Sequence, residues 1–198
     1  MTAAVAWRTP AFLLLFALAC TSRVEEGQRP GARAAQEKLR AELLAMGDAD
    51  QAWIEASLSP SANRQKSATD YLRRVQRLKE IVQQYGWPTI SLVGSDGASA
   101  AWLVAQHADV DPEFQRSCVP LIEAAASKGE ARLTHMACLT DRALTATGEP
   151  QFYGTQGIGG TVGERRAIAE RRKAIGLPSL EAYWKSLQDG TGVTTCRR

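Results

Sequence analysis

The chain is poor in the groups by which active sites are usually recognised. Its 198 residues include two histidines, His107 and His135, and only 7% are aromatic. No HExxH and no CxxC pair occurs, so the commonest zinc frameworks are missing and no metal site is expected. No GxSxG elbow marks a serine nucleophile, and Gly94-Ser95-Asp96-Gly97 is better explained as a helix start. Gly157, Gly159 and Gly160 do not fit the spacing of a phosphate loop, and no cofactor is indicated. The formal net charge is only +3, with both signs mixed along the chain. That balance suits ordinary solubility and argues against nucleic-acid binding. Alternation of apolar and polar residues is nowhere sustained, which argues against a sheet. A chain of this length buries roughly 70% of its unfolded surface, enough to fold without a metal or disulfide framework.

What is present begins with an apolar run at the N-terminus. Arg8 supplies a positive flank, and Ala11 to Leu18 is too short for a span of ~20 residues. The run ends Ala17-Leu18-Ala19-Cys20, which resembles a bacterial lipoprotein signal, with Ala17 where that pattern prefers Leu. The resemblance implies a signal peptide over 1–19 and a lipid on Cys20. The protein would then be exported and lipid-anchored in the cell envelope, on the periplasmic side. The alternative is a secretory signal cut near Ala19 without lipid, which still exports the chain. Loss of 1–19 removes one Arg and no acid, so the charge falls from +3 to +2. Residues 20–33, rich in Gly, Pro and charge, read as a tether, and 188–198 as a frayed tail.

Residues 34–187 read as one irregular, mainly α domain with a long motif-bearing loop. Leu39, Leu43 and Met46 mark a first helix with Gly47 as its stop, and Asp48 opens a second ending at Pro60. Ser67 and Asp70 resemble a capping box for a helix buried along Tyr71, Val75, Leu78, Val82 and Tyr85. Its Arg73, Arg74, Arg77 and Lys79 read as a solvated face. Residues 88–94 are expected to be extended, with Ser95 or Asp96 capping a helix to Gln106 that is apolar nearly all round and therefore central. Asp111-Pro112 opens the next helix, which Pro120 should kink. A partner helix follows from Glu130 to Thr145. Thr161 with Glu164, and Ser179, open two last helices. Counting outward from Lys128-Gly129 places Cys118 level with Cys138, compatible with a disulfide between them. Otherwise Cys118 is a buried small residue and Cys138 a spare thiol.

The central helix ends in Gln106-His107-Ala108-Asp109, which makes His107 the leading candidate for chemistry. Histidine is the side chain best suited to moving protons near neutral pH. The alternative is a core histidine satisfied by its neighbours. Asp109 or Asp141 would orient it. Gln106, Arg142, Tyr153 and Gln156 would bind a small polar ligand.

Together GWP at 86–88, VGSDGA at 93–98, QHAD at 106–109, TDR at 140–142 and PQFYGTQ at 150–156 resemble an uncharacterised bacterial domain family of unknown function. The resemblance extends upstream through Leu43–Met46 and Asp50-Gln51, and downstream to Gly176–Pro178 with Tyr183. It implies a shared polar site built from three elements, and no reaction. Here Ile54 replaces an Arg usual in the family, and the segment after YGTQ is shorter. Two functional readings follow. One is a hydrolase or other acid/base enzyme acting on a small polar substrate. The other is a non-catalytic envelope lipoprotein, a binding or interaction module whose motif residues form a buried structural network.

Overall fold

The computed structural model describes residues 30–57, 64–157, 160–191 and Cys196. The signal peptide, Cys20, the tether up to residue 29 and Pro60 lie outside the described residues. Seven helices are described: α1 Pro30–Ser57, α2 Arg64–Tyr85, α3 Ile90–Gln106, α4 Pro112–Ala126, α5 Leu133–Ala146, α6 Arg165–Ala174 and α7 Leu180–Gln188. Among the described residues there is no strand, only a single bridge between Gln151 and Val162, and the fold is mainly α as expected. No described helix is long and apolar enough to cross a membrane. By its contacts the chain divides between Lys38 and Leu39. The part before that point is described from Pro30, the opening turns of α1, with Arg33 paired to Glu37. Residues 39–198 hold the core.

Where the helices differ from expectation, a neighbouring group supplies the reason. Gly47 does not stop α1: it lies buried in the middle of a continuous helix. A mid-helix glycine costs about 1 kcal/mol, which packing of the Leu39-Leu43-Met46 stripe outweighs. Pro30, suited to a first helical turn, begins α1 ahead of Ala34, so residues 30–33 are helical and not tether. Likewise α2 starts at Arg64, ahead of Ser67, and stops at Gly86 (φ 74).

Residues 90–93 are a helical turn and not extended, separated from the rest of α3 by Gly94 (φ 75, ψ 164). The positive φ favours glycine, and a Cβ there, 2.9 Å from Asp96 Oδ1 and 3.2 Å from Arg40 Nε, would also push that ion pair aside. Glu130 does not open α5, because it caps α3 instead. Its carboxylate accepts from Ser91 N–H (2.7 Å) and its carbonyl from Ile90 N–H (3.0 Å).

α3 is central, with every residue from Gly97 to Gln106 buried. α2, α4 and α5 all pack against it, and α4 and α5 share the most extensive helix pairing. Asp111 caps α4 as read from the sequence, accepting from Phe114 N–H at 2.9 Å, and α4 runs through Pro120 as one element.

Candidate functional site

α3 stops at His107, and the chain turns at once into α4. Burial of the helix on all sides fixes where this end lies. The His107 carbonyl accepts from the Tyr71 hydroxyl (2.8 Å), and Tyr71 stacks on Trp53 of α1 with centroids 4.7 Å apart. The ring meets an unexpected partner: Nδ1 lies 2.5 Å from Asp50 Oδ2. Asp50 is 1% exposed and the His107 side chain 22%. Where Asp50 accepts, Nδ1 is the donor, and a neutral imidazole would then present Nε2 as its acceptor. Nε2 has no hydrogen bond among the described residues. This is the arrangement in which a carboxylate fixes the tautomer of a histidine and steadies its protonated form. The other Asp50 oxygen faces Arg74 Nη2 at 3.9 Å.

Neither expected orienting acid takes this role. Asp109 instead grips Arg142 through two hydrogen bonds, Nε to Oδ1 at 2.8 Å and Nη2 to Oδ2 at 2.5 Å. Burial works to raise the Asp109 pKa, but the Arg142 bonds and charge outweigh it and hold the carboxyl below its ordinary range. The pair lines a depression of about 310 Å³ with Thr145 and Ala146, so Arg142 is placed at a surface but already neutralised. Gln106 is buried. Its carbonyl accepts from Gln115 (3.1 Å), and its own side-chain oxygen has no partner among the described residues.

Asp141 faces the other way. Fully buried, it accepts from the N–H groups of Phe152 (2.6 Å), Tyr153 (2.9 Å) and Thr155 (2.7 Å), and from the Thr155 hydroxyl (2.8 Å). Four donors saturate it as the keystone of the 151–156 loop. Tyr153 and Gln156 are part of the same packing. The Tyr153 carbonyl accepts from Arg172 Nη1 (2.7 Å), and Gln156 Nε2 donates to the Cys138 carbonyl (3.0 Å). Tyr183 closes the arrangement by donating to the Thr155 carbonyl (2.8 Å). A loop dense in polar side chains was expected to line a site; here most of those groups satisfy one another and the backbone, and Gln151 Nε2 has no partner among the described residues.

The second histidine is structural. His135 stacks on Trp102 with centroids 4.0 Å apart, and its carbonyl accepts from the indole N–H at 2.9 Å. Burial, helped by Arg132, pushes its pKa down to about 3. Its imidazole therefore stays neutral.

The expected Cys118–Cys138 bond does not form. Cys138 is bonded to Cys196, with Cα atoms 5.8 Å apart, and Cys118 is a buried free thiol raised to about 12 by burial. Cys138 lies off the main apolar stripe of its helix, beside the 155–156 segment, where Cys196 also contacts the Thr155 carbonyl. Helix register alone could not find a partner 58 residues away. Among the described residues no three His, Cys, Asp or Glu side chains are placed to hold a metal ion.

Two groups at the His107 end were missed, Asp50 and Arg74. The signal for Asp50 was its position four residues after Met46, an acid continuing the apolar stripe. Taking Gly47 as a stop broke that stripe. Arg74 was assigned to a solvated face, yet its side chain is only 11% exposed.

Fold and site together define a small, mainly α-helical domain with a histidine–aspartate pair at the end of its central helix. The chain belongs to a family of unknown function, DUF6624, whose sequence profile matches residues 37–195. No curated protein and no solved structure matches it.

Proposed function

We propose that the protein is an exported, lipid-anchored acid/base enzyme, a hydrolase of a small substrate, with His107 as the proton-transfer group and Asp50 as its orienting partner. The observation that carries this reading is the buried Asp50 on Nδ1 with a partly exposed ring whose Nε2 is unpartnered among the described residues. In hydrolysis, Nε2 would take a proton from water as it attacks the substrate and return one to the leaving group. Asp50 would steady the imidazolium between those steps. Export is supported by the lipoprotein-like N-terminus and by the Cys138–Cys196 disulfide, a bond that persists in oxidising compartments.

The test pairs turnover with stability. Esters, amides and phosphoesters of small acids are screened with the wild type, His107→Gln and Asp50→Asn, beside thermal unfolding. The expected outcome is a hydrolytic activity that falls at least ~100-fold in both variants while they stay folded. Equal turnover in wild type and variants would remove the enzyme reading. Labelling with a radioactive fatty acid should mark the wild type and not Cys20→Ala, and an unlabelled wild type removes the lipid anchor.

The alternative, a non-catalytic envelope lipoprotein, draws support from the saturated Asp141 network. It requires that His107→Ala lose function only in proportion to its loss of thermal stability.

A further inference from the structure

An open groove of about 590 Å³ runs between α1 and α2, within the size range of small-molecule sites. Its floor is apolar, made by Ala45, Met46, Ala49, Ala52 and Trp53. The Trp53 ring is held against Tyr71 with an interplanar angle of 11°. Around the rim, charges neutralise one another: Glu42 accepts from Arg77 (2.6 and 3.1 Å), and Asp70 from Arg73 (2.9 Å).

Arg74 is the exception. It lines the groove, yet its Nε and Nη2 are buried and donate no hydrogen bond among the described residues. Asp50 stands 3.9 Å from Nη2 with its other oxygen already on His107. Buried guanidinium donors without acceptors are costly, and a carboxylate is the group whose two oxygens match their fork.

We infer that this groove binds a small amphipathic carboxylate, its apolar body on Ala49, Ala52 and Trp53 and its carboxylate on Arg74. A monoanion fits better than a phosphate dianion, because Glu42 and Asp70 line the same groove and Asp50 stands beside Arg74, the lining cation without a hydrogen bond among the described residues. Arg74 reaches the groove and Asp50, and Trp53 reaches the groove and, through Tyr71, the His107 carbonyl. As an account of substrate the inference rests on the proposed enzyme reading; as an account of binding it stands without it.

The test follows intrinsic tryptophan fluorescence of the full chain titrated with octanoate, decanoate, decyl phosphate, decanol and decyltrimethylammonium. Decanoate should bind, about fifteenfold more tightly than octanoate because two further CH₂ groups are covered. Decyl phosphate, decanol and the cation should bind at least tenfold more weakly than decanoate. Trp53→Phe should abolish the spectral change. Arg74→Gln should weaken decanoate at least tenfold and leave decanol unchanged. Ala52→Phe, on the surface of α1, fills the groove without touching Arg74 and should weaken both. Absence of decanoate binding in the wild type overturns the inference. So does equal binding of decanoate and the cation, or undiminished binding in Ala52→Phe. His107→Gln should bind decanoate as the wild type does. Binding retained with no turnover of any substrate would sink the enzyme and keep the groove, whereas His107-dependent turnover with no binding would do the reverse.

Discussion

The two motif-bearing regions of this molecule, the end of α3 and the 151–156 loop, are equally rich in polar side chains and differ in what is left over. Around Asp141 the carboxylate's count closes: four donors meet it, Arg172 takes the Tyr153 carbonyl and Tyr183 the Thr155 carbonyl, although Gln151 Nε2 and Arg172 Nη2 find no partner among the described residues. Around His107 it stays open, with a partly exposed ring on a buried Asp50 and an Arg74 holding unused donors. A carboxylate whose valences are spent can only hold shape. A partly exposed ring and a buried cation with donors to spare can meet a ligand. Polar density in a motif therefore says little until its partners are known.

The largest effect should come from emptying the closed region. Asp141→Ala strands three backbone N–H groups and a hydroxyl in the interior, an expected loss of about 3–5 kcal/mol, or roughly 10 °C in Tm. Chemical and thermal unfolding check it, and a loss under about 1 kcal/mol would show that the loop does not depend on its keystone. Next is the bond that fastens Cys196 beside that loop. Cys138→Ser with Cys196→Ser should lose about 2–4 kcal/mol, as should reduction of the wild type, because the bridge spans 58 residues. Identical midpoints with and without reductant would contradict it.

The open region should respond differently. His107→Gln keeps an amide able to donate to Asp50 and should cost only about 1 kcal/mol by urea unfolding. A loss as large as that of Asp141→Ala would erase the distinction between the regions. Smallest is the Asp109–Arg142 pair, more than a third exposed on each side. Its carboxyl is held below the ordinary 3.8. The stability it contributes is therefore present above that value and lost as pH falls through the lowered one. The loss should stay below about 1 kcal/mol and be absent in Arg142→Met, as urea midpoints from about pH 5 to about pH 2 would show.

Much of this was legible in residue order. The α class, the central burial of Ala98–Gln106, the Asp111 and Ser179 caps and the placing of His107 at a helix end follow from periodicity and capping, which act within a few residues. The loop's inward role was not, since Tyr153 and Gln156 look the same whether they face a ligand or a carbonyl. Asp50 was hidden behind Gly47, whose local preference for ending a helix yields to packing that sequence order does not display.

By itself, then, the sequence determined the helices, their apolar faces and a histidine at the end of the most buried one, because those depend on short-range spacing. Only the tertiary structure decided that Asp50, and neither Asp109 nor Asp141, holds that histidine. It also decided that Cys196, and not Cys118, closes on Cys138. Both choices join residues nearly sixty positions apart, and only packing of the whole chain sets which distant groups meet.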